Sequence, residues 1–143
     1  MAGLDFSAVG GRWTPTALAL LRIVTALLFI EHGTSKLIGW PSTDMPMPPA
    51  GSLLWIGGVL EVVGGLLILV GFLTRPVALI LAGEMAVAYF MFHAPESFYP
   101  IQNGGDAAIL FCFVFLFLTA AGPGRWSVDG NYLDRRAAAA PER

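Results

Sequence analysis

Eight charged or histidine side chains fall inside, or at the mouths of, long apolar runs in this sequence: Arg22, Glu31, His32, Lys36, Glu61, Glu84, His93 and Asp106. Carboxylates and histidines exchange protons, and histidine does so near neutral pH. Lysine and arginine donate to carboxylates and to carbonyl oxygens of a ligand. Arg22, Thr25, Phe29, His32 and Lys36 follow a three-four spacing and therefore share one helix face. Glu31 sits about 100° around the helix from His32. An ionisable group at membrane depth costs about 2.5–3.5 kcal/mol unless it is paired or wetted, so this stripe demands partners from other helices.

Depth sorts the groups into two clusters, counting about 1.5 Å per residue. From the inner ends, Arg22 lies about 10 Å deep, Glu84 about 12 Å and Glu61 about 16 Å. The inner cluster is therefore a buried polar network of Arg22 with Glu61 or Glu84. It reads either as an ion pair that locks helices or as a relay for a proton or solute. The outer cluster is Glu31, His32, Lys36, His93 and Asp106. Of these, His32, Lys36, Glu31 and Asp106 are the candidate catalytic groups. His32, Lys36, His93 and Asp106 are the candidate ligand-binding groups. Lys36 is expected to pair with Asp106, leaving His32 to donate to a ligand oxygen. Asp106 also has a plain reading, as an acidic residue in the first turn of a helix with Asn103 as N-cap.

Metal chemistry finds little support. No H-x-x-H or E-x-x-H spacing occurs, and a bis-histidine haem between His32 and His93 would need a roomy apolar slot as well. The single cysteine, Cys112, permits no disulfide within the chain and reads as a small buried hydrophobe.

The elements that must position these groups are membrane spans. Of 143 residues, 56% are hydrophobic and 13% charged, and the mean hydropathy is +0.71. One small core cannot hide that much apolar surface from water. The expected fold is all-α, a single integral membrane domain, residues 1–143, built as a four-helix bundle. The spans cover about residues 15–39, 52–72, 76–93 and 104–121, with a mobile tail over about 134–143. Pro15 suits a first helical turn, and four prolines between 41 and 49 forbid a helix there. Gly57, Gly64 and Gly71 repeat every seven residues with Glu61 on the same face, which marks span two as the tightly packed one. The N-terminus lacks the basic lead of a cleaved signal, so span one is expected to serve as an uncleaved one.

Six arginines lie in the N-terminus, the turn between spans two and three, and the tail, whereas the two long loops hold no lysine or arginine. The positive-inside rule then places both termini in the cytoplasm, N-in and C-in. No basic block suggests nucleic acid.

The assembled residues resemble the DoxX family of small four-span bacterial membrane proteins. The likeness runs over residues 16–133. It rests on Arg22, Gly33 and Lys36 in LRIVTALLFIEHGTSKLIGW, and on Glu61 before Gly64 and Gly65 in LEVVGGLLILVGFLTRPVA. It also rests on Asp106 after N-G-G and on the closing G-P-G and S-x-D, Gly122 to Gly124, Ser127 and Asp129. The sequence departs from the pattern with Asp for the usual Glu at 106, and Glu84 is not part of it. The resemblance implies a plasma-membrane protein linked to quinone redox chemistry, as a subunit or accessory of an oxidoreductase complex. Quinone is the small molecule compatible with what the resemblance implies; no intrinsic cofactor motif is evident, so any electron carrier would belong to a partner. The expected partners are the lipid bilayer and redox-enzyme chains, with homo-oligomers also compatible. Two other functions fit the residues: a transporter or channel for protons or a small solute along Arg22, Glu61 and Glu84, and a non-catalytic scaffold that recruits redox enzymes.

Overall fold

A computed structural model describes residues 6–132 of the chain, with side chains from residue 11 onward. The described residues form helices and connecting turns. Helix α1 runs Phe6–Ile38, α2 Leu53–Val70, α3 Thr74–Ala88, α4 Pro100–Asn103 and α5 Asp106–Ala121. A π-helical turn, Tyr89–His93, continues α3. Three helical stretches, Gly11–Ile38, Leu53–Val70 and Thr74–His93, are long and apolar enough to cross a membrane, and α5 is a shorter apolar helix. The tail expected at 134–143 lies outside the described residues.

Helix α1 shows how the bundle divides inside from outside. Ala19, Arg22, Thr25, Ala26, Phe29 and Gly33 are buried, at the three-four spacing of one face. Leu20, Leu21, Val24, Leu27 and Leu28 are exposed on the other. An apolar exterior of this kind suits hydrocarbon rather than water. Pro15 lies inside α1 rather than starting it. Its ring removes one helical hydrogen bond, and its carbonyl accepts from the Arg125 N–H at 3.2 Å.

Packing is chiefly α1 on α2 and α3 on α5. Small residues let the first pair approach closely. A methyl group added at Gly33 would stand 2.7 Å from the Gly58 carbonyl oxygen and 2.9 Å from the Val62 nitrogen. One added at Gly64 would stand 2.7 Å from Leu81, and one at Gly65 the same distance from Ile30. The core between the pairs holds Phe29, Ile68, Leu81, Phe115 and Leu118. Phe29 meets the Phe115 ring edge-on at 4.8 Å and Phe111 at 5.2 Å, a favourable aromatic geometry.

The turns at one end are tied by the segment that leaves α5. Gly71 adopts φ 68° and closes α2, its N–H bonding to the Ile68 carbonyl while Phe72 N–H reaches Leu67. Leu73, at φ 50°, takes the left-handed region that a branched residue seldom visits. Asp129 holds it there: its carboxylate accepts from Leu73 N–H at 2.9 Å and from Thr74 N–H at 2.8 Å. The opposite end carries the two long connections, 39–52 and 94–105.

Candidate functional site

The site forms where α1, α2 and α3 converge, near the end that carries the long connections. Lys36 donates from Nζ to Glu61 Oε1 at 2.5 Å, and this is the ion pair present among the described residues. Glu61 is 2% exposed and the Lys36 side chain 18%. The pair is thus held at a buried face, where Lys36 packs over Gly58. The other Glu61 oxygen, Oε2, is buried with no hydrogen-bond partner, and so is Oε2 of Glu84 on α3.

Three cavities meet at Lys36. One of about 270 Å³ lies between α2 and α3, lined by Lys36, Glu61, Glu84, Gly57, Gly83 and Leu60. A second, about 290 Å³, opens toward His32, His93, Gly104 and Phe111 and also reaches Glu61. The largest, about 540 Å³, lies under the proline-rich connection, against Met45, Met47, Leu53 and Met91. All three are walled mostly by apolar side chains. An apolar slot with a few convergent polar groups is the usual form of a small-molecule site.

The structure redraws the sequence-derived clusters. Arg22 is fully buried, as expected, but no carboxylate pairs with it. Its five N–H groups go to five carbonyl oxygens: Nε to Pro123 at 2.8 Å, Nη1 to Ile68 at 2.7 Å and Leu69 at 2.5 Å, and Nη2 to Arg125 at 3.2 Å and Trp126 at 2.8 Å. The reason is position. Arg22 lies beside the C-terminus of α2, whose last carbonyls fall outside the regular i to i+4 ladder and carry partial negative charge. Arg22, Glu61 and Glu84 therefore do not form one network. Glu61 and Glu84 belong with Lys36.

Lys36 does not pair with Asp106. Asp106 is exposed in the first turn of α5 and lines none of the three cavities. Gly105, not Asn103, is the N-cap of α5, and Asn103 Oδ1 instead accepts from Gly105 N–H at 2.7 Å. Glu31 is also exposed and lines none of these cavities. His32 and His93 do reach one cavity, from α1 and from the π-helical turn. Their Nδ1 atoms bond to backbone oxygens, His32 to Leu28 at 2.8 Å and His93 to Asn103 at 2.9 Å.

Sequence reasoning missed the apolar walls, above all Met45, Leu54 and Phe92. Leu54 and Phe92 line all three cavities. The four prolines that bar a helix over 41–49 were the available signal, since they hold Met45 and Met47 in an ordered cover rather than a linker.

Comparison with known proteins agrees with this architecture. The DoxX family model matches residues 17–94, which span Arg22, Gly33, Lys36, Glu61 and Glu84. An uncharacterized protein of Haemophilus influenzae is 38% identical over 129 residues, covering 87% of this chain and 96% of that one. An Escherichia coli protein named inner membrane protein YqjF is 34% identical over 119 residues, 76% of this chain and 85% of that one. An uncharacterized membrane protein of Mycobacterium tuberculosis is 29% identical over 146 residues, 90% and 88% of the two. No solved structure matches the chain. The apolar helices, the Arg22-to-Glu61 core of the bundle and these relatives together place the chain in the DoxX family of membrane proteins, to which it belongs.

Proposed function

We propose that this protein binds a lipid-soluble quinone at Lys36, Glu61 and Glu84 and serves as a subunit or accessory of membrane redox chemistry. The observation that carries the reading is Glu61: buried, ion-paired through one oxygen and unpartnered through the other, beside an apolar cavity. A buried acceptor without a partner costs about 1–3 kcal/mol, so a site that keeps one open is suited to a ligand's hydroxyl. An ammonium has three donors, and Glu61 takes one of those of Lys36. The remainder suit a quinone carbonyl, and the methionine and phenylalanine walls suit its apolar body. The chain supplies binding, orientation and a proton-exchanging carboxyl; the electron carrier comes from a partner chain. A relay running through Arg22 is not favoured, because that guanidinium has no free donor.

The test is purification of the full chain in mild detergent, with mass spectrometry of the extracted lipids. Bound quinone in the parent, and its loss in Lys36→Met with folding retained, is the expected result. Absence of quinone from the parent, with partner chains copurifying, would instead favour the scaffold.

We also propose the bacterial plasma membrane as the location, with both termini cytoplasmic. Arg75 donates to the Thr119 and Ala120 carbonyls in the last turn of α5, and Arg125, just beyond α5, donates its backbone N–H to the Pro15 carbonyl. They therefore share the end opposite the two long connections, which hold no lysine or arginine. Reporter fusions after Arg143 and within 42–49 should report opposite sides, the second one periplasmic.

A further inference from the structure

We infer that the cleft between α2 and α3 is a lateral port, through which a lipid-dissolved ligand reaches Glu84 and then Glu61 directly from the hydrocarbon layer. This deepens the quinone reading and rests on it for the identity of the ligand.

The rim of the cavity is the outer surface of the bundle. Ile56, Leu60, Ile80 and Val87 all line it, and they are 47, 39, 59 and 49% exposed. These are exposed positions on apolar helices, so in a bilayer they meet acyl chains. The inner wall is Glu61, 2% exposed, whose Oε2 has no partner. Glu84 also lines the cavity, is intermediate in exposure, and its Oε2 is likewise unpartnered.

Two glycines keep the passage open. Gly83 on α3 is exposed among bulky lipid-facing neighbours, and a side chain there would meet nothing within 4 Å. Gly57 on α2 faces Glu84 Oε1, and a methyl group there would stand 3.3 Å from it. Glycine within a helix is intrinsically unfavourable by about 1 kcal/mol relative to alanine. Gly33, Gly64 and Gly65 offset that cost by letting neighbouring groups approach closely. Gly83 makes no such contact, and the space it leaves is the port. A ligand lodged there would hold its polar head at the two carboxyls and leave its tail among the lipids.

The same geometry predicts a reactive carboxyl. The experiment uses the full chain in lipid nanodiscs at mildly acidic pH, treated either with lipophilic dicyclohexylcarbodiimide or with a water-soluble carbodiimide. Adducts are mapped by peptide mass spectrometry. Retention of a decyl-substituted benzoquinone is measured on the same samples, for the parent, Gly83→Phe and Glu84→Gln. In the parent, the lipophilic reagent should modify Glu84 and the water-soluble one should not. Gly83→Phe should suppress that adduct and lower quinone retention at least tenfold with the melting temperature unchanged. Glu84→Gln should abolish the adduct and lower retention similarly. Equal labelling by both reagents, or no adduct in the parent, overturns the port. So does unchanged quinone retention in Gly83→Phe, which would leave the quinone reading standing. Labelling as expected with no quinone retained by the parent would support the port and overturn quinone as its ligand.

Discussion

Around Arg22 each of five N–H groups meets a carbonyl oxygen; around Glu61 and Glu84 one oxygen of each carboxyl meets nothing. Both regions are buried, both lie among apolar helices and both carry charge. They differ in whether donors and acceptors balance. At the arginine end the planar guanidinium fits its acceptors completely, and Arg75 does the same for the end of α5, donating to the Thr119 and Ala120 carbonyls at 2.8 and 2.6 Å. A fully satisfied buried network rigidifies. At the lysine end acceptors remain open beside space large enough for a guest. Charge inside a membrane bundle is therefore not itself a mark of function; it is the mismatch on which the quinone proposal rests.

That contrast can be broken most directly at Arg22. Arg22→Ala should strip five carbonyls of α2 and of the segment after α5 of their side-chain donor, at a cost of roughly 3–5 kcal/mol in stability, about 1–3 for each buried acceptor left unsatisfied. Thermal unfolding in detergent reads it. Arg22→Lys should recover only part, since an ammonium has three donors and no planar fork. A stable Arg22→Ala protein that has lost quinone would place Arg22 with the functional region instead.

Gly33→Ala tests the seam between the two regions. The added methyl would meet backbone atoms of Gly58 and Val62, which cannot rotate away. A loss of about 1–3 kcal/mol is expected from such overpacking. A melting temperature equal to the parent's would show that α1 and α2 separate freely.

Lys36→Met should show the opposite balance to Arg22→Ala, a larger loss of binding than of stability. Quinone retention should fall at least tenfold, about 1.4 kcal/mol in binding, while the melting temperature falls less than for Arg22→Ala. The reverse ranking would make Lys36–Glu61 the structural pair. The smallest effect belongs to Asp106→Asn: a few tenths of a kcal/mol from the charge at the start of α5, and no change in quinone retention. A tenfold loss of quinone there would restore Asp106 to the site.

The lipid-facing and buried faces of α1 were legible because they are written in spacing, and so was the close contact at Gly64. The partners of Arg22 were not, because a backbone carbonyl belongs to every residue and leaves no mark in sequence. The Lys36–Glu61 pair was missed for another reason. Counted from the looped end, Glu61 lies eight residues inside α2 and Lys36 two residues inside α1, a difference of about 9 Å at 1.5 Å per residue. Two extended side chains span that gap, and backbone depth alone hid it. Glu84 reads as level with Glu61 only when the π-helical turn to His93 is counted as part of its span.

The carbonyls that hold Arg22 also impose an order in time. Ile68 and Leu69 follow it in the chain by 46 and 47 residues, and Pro123, Arg125 and Trp126 by 101, 103 and 104. At about 5–20 residues per second of synthesis, roughly 5–20 s separate the arginine from its last acceptors. During that interval α1 and α2 sit in or near the bilayer with a guanidinium only partly coordinated. The nascent chain thus carries an incomplete cation site until the residues after α5 emerge. A ribosome that stops before Pro123 leaves a membrane protein in which Arg22 lacks three of its five acceptors.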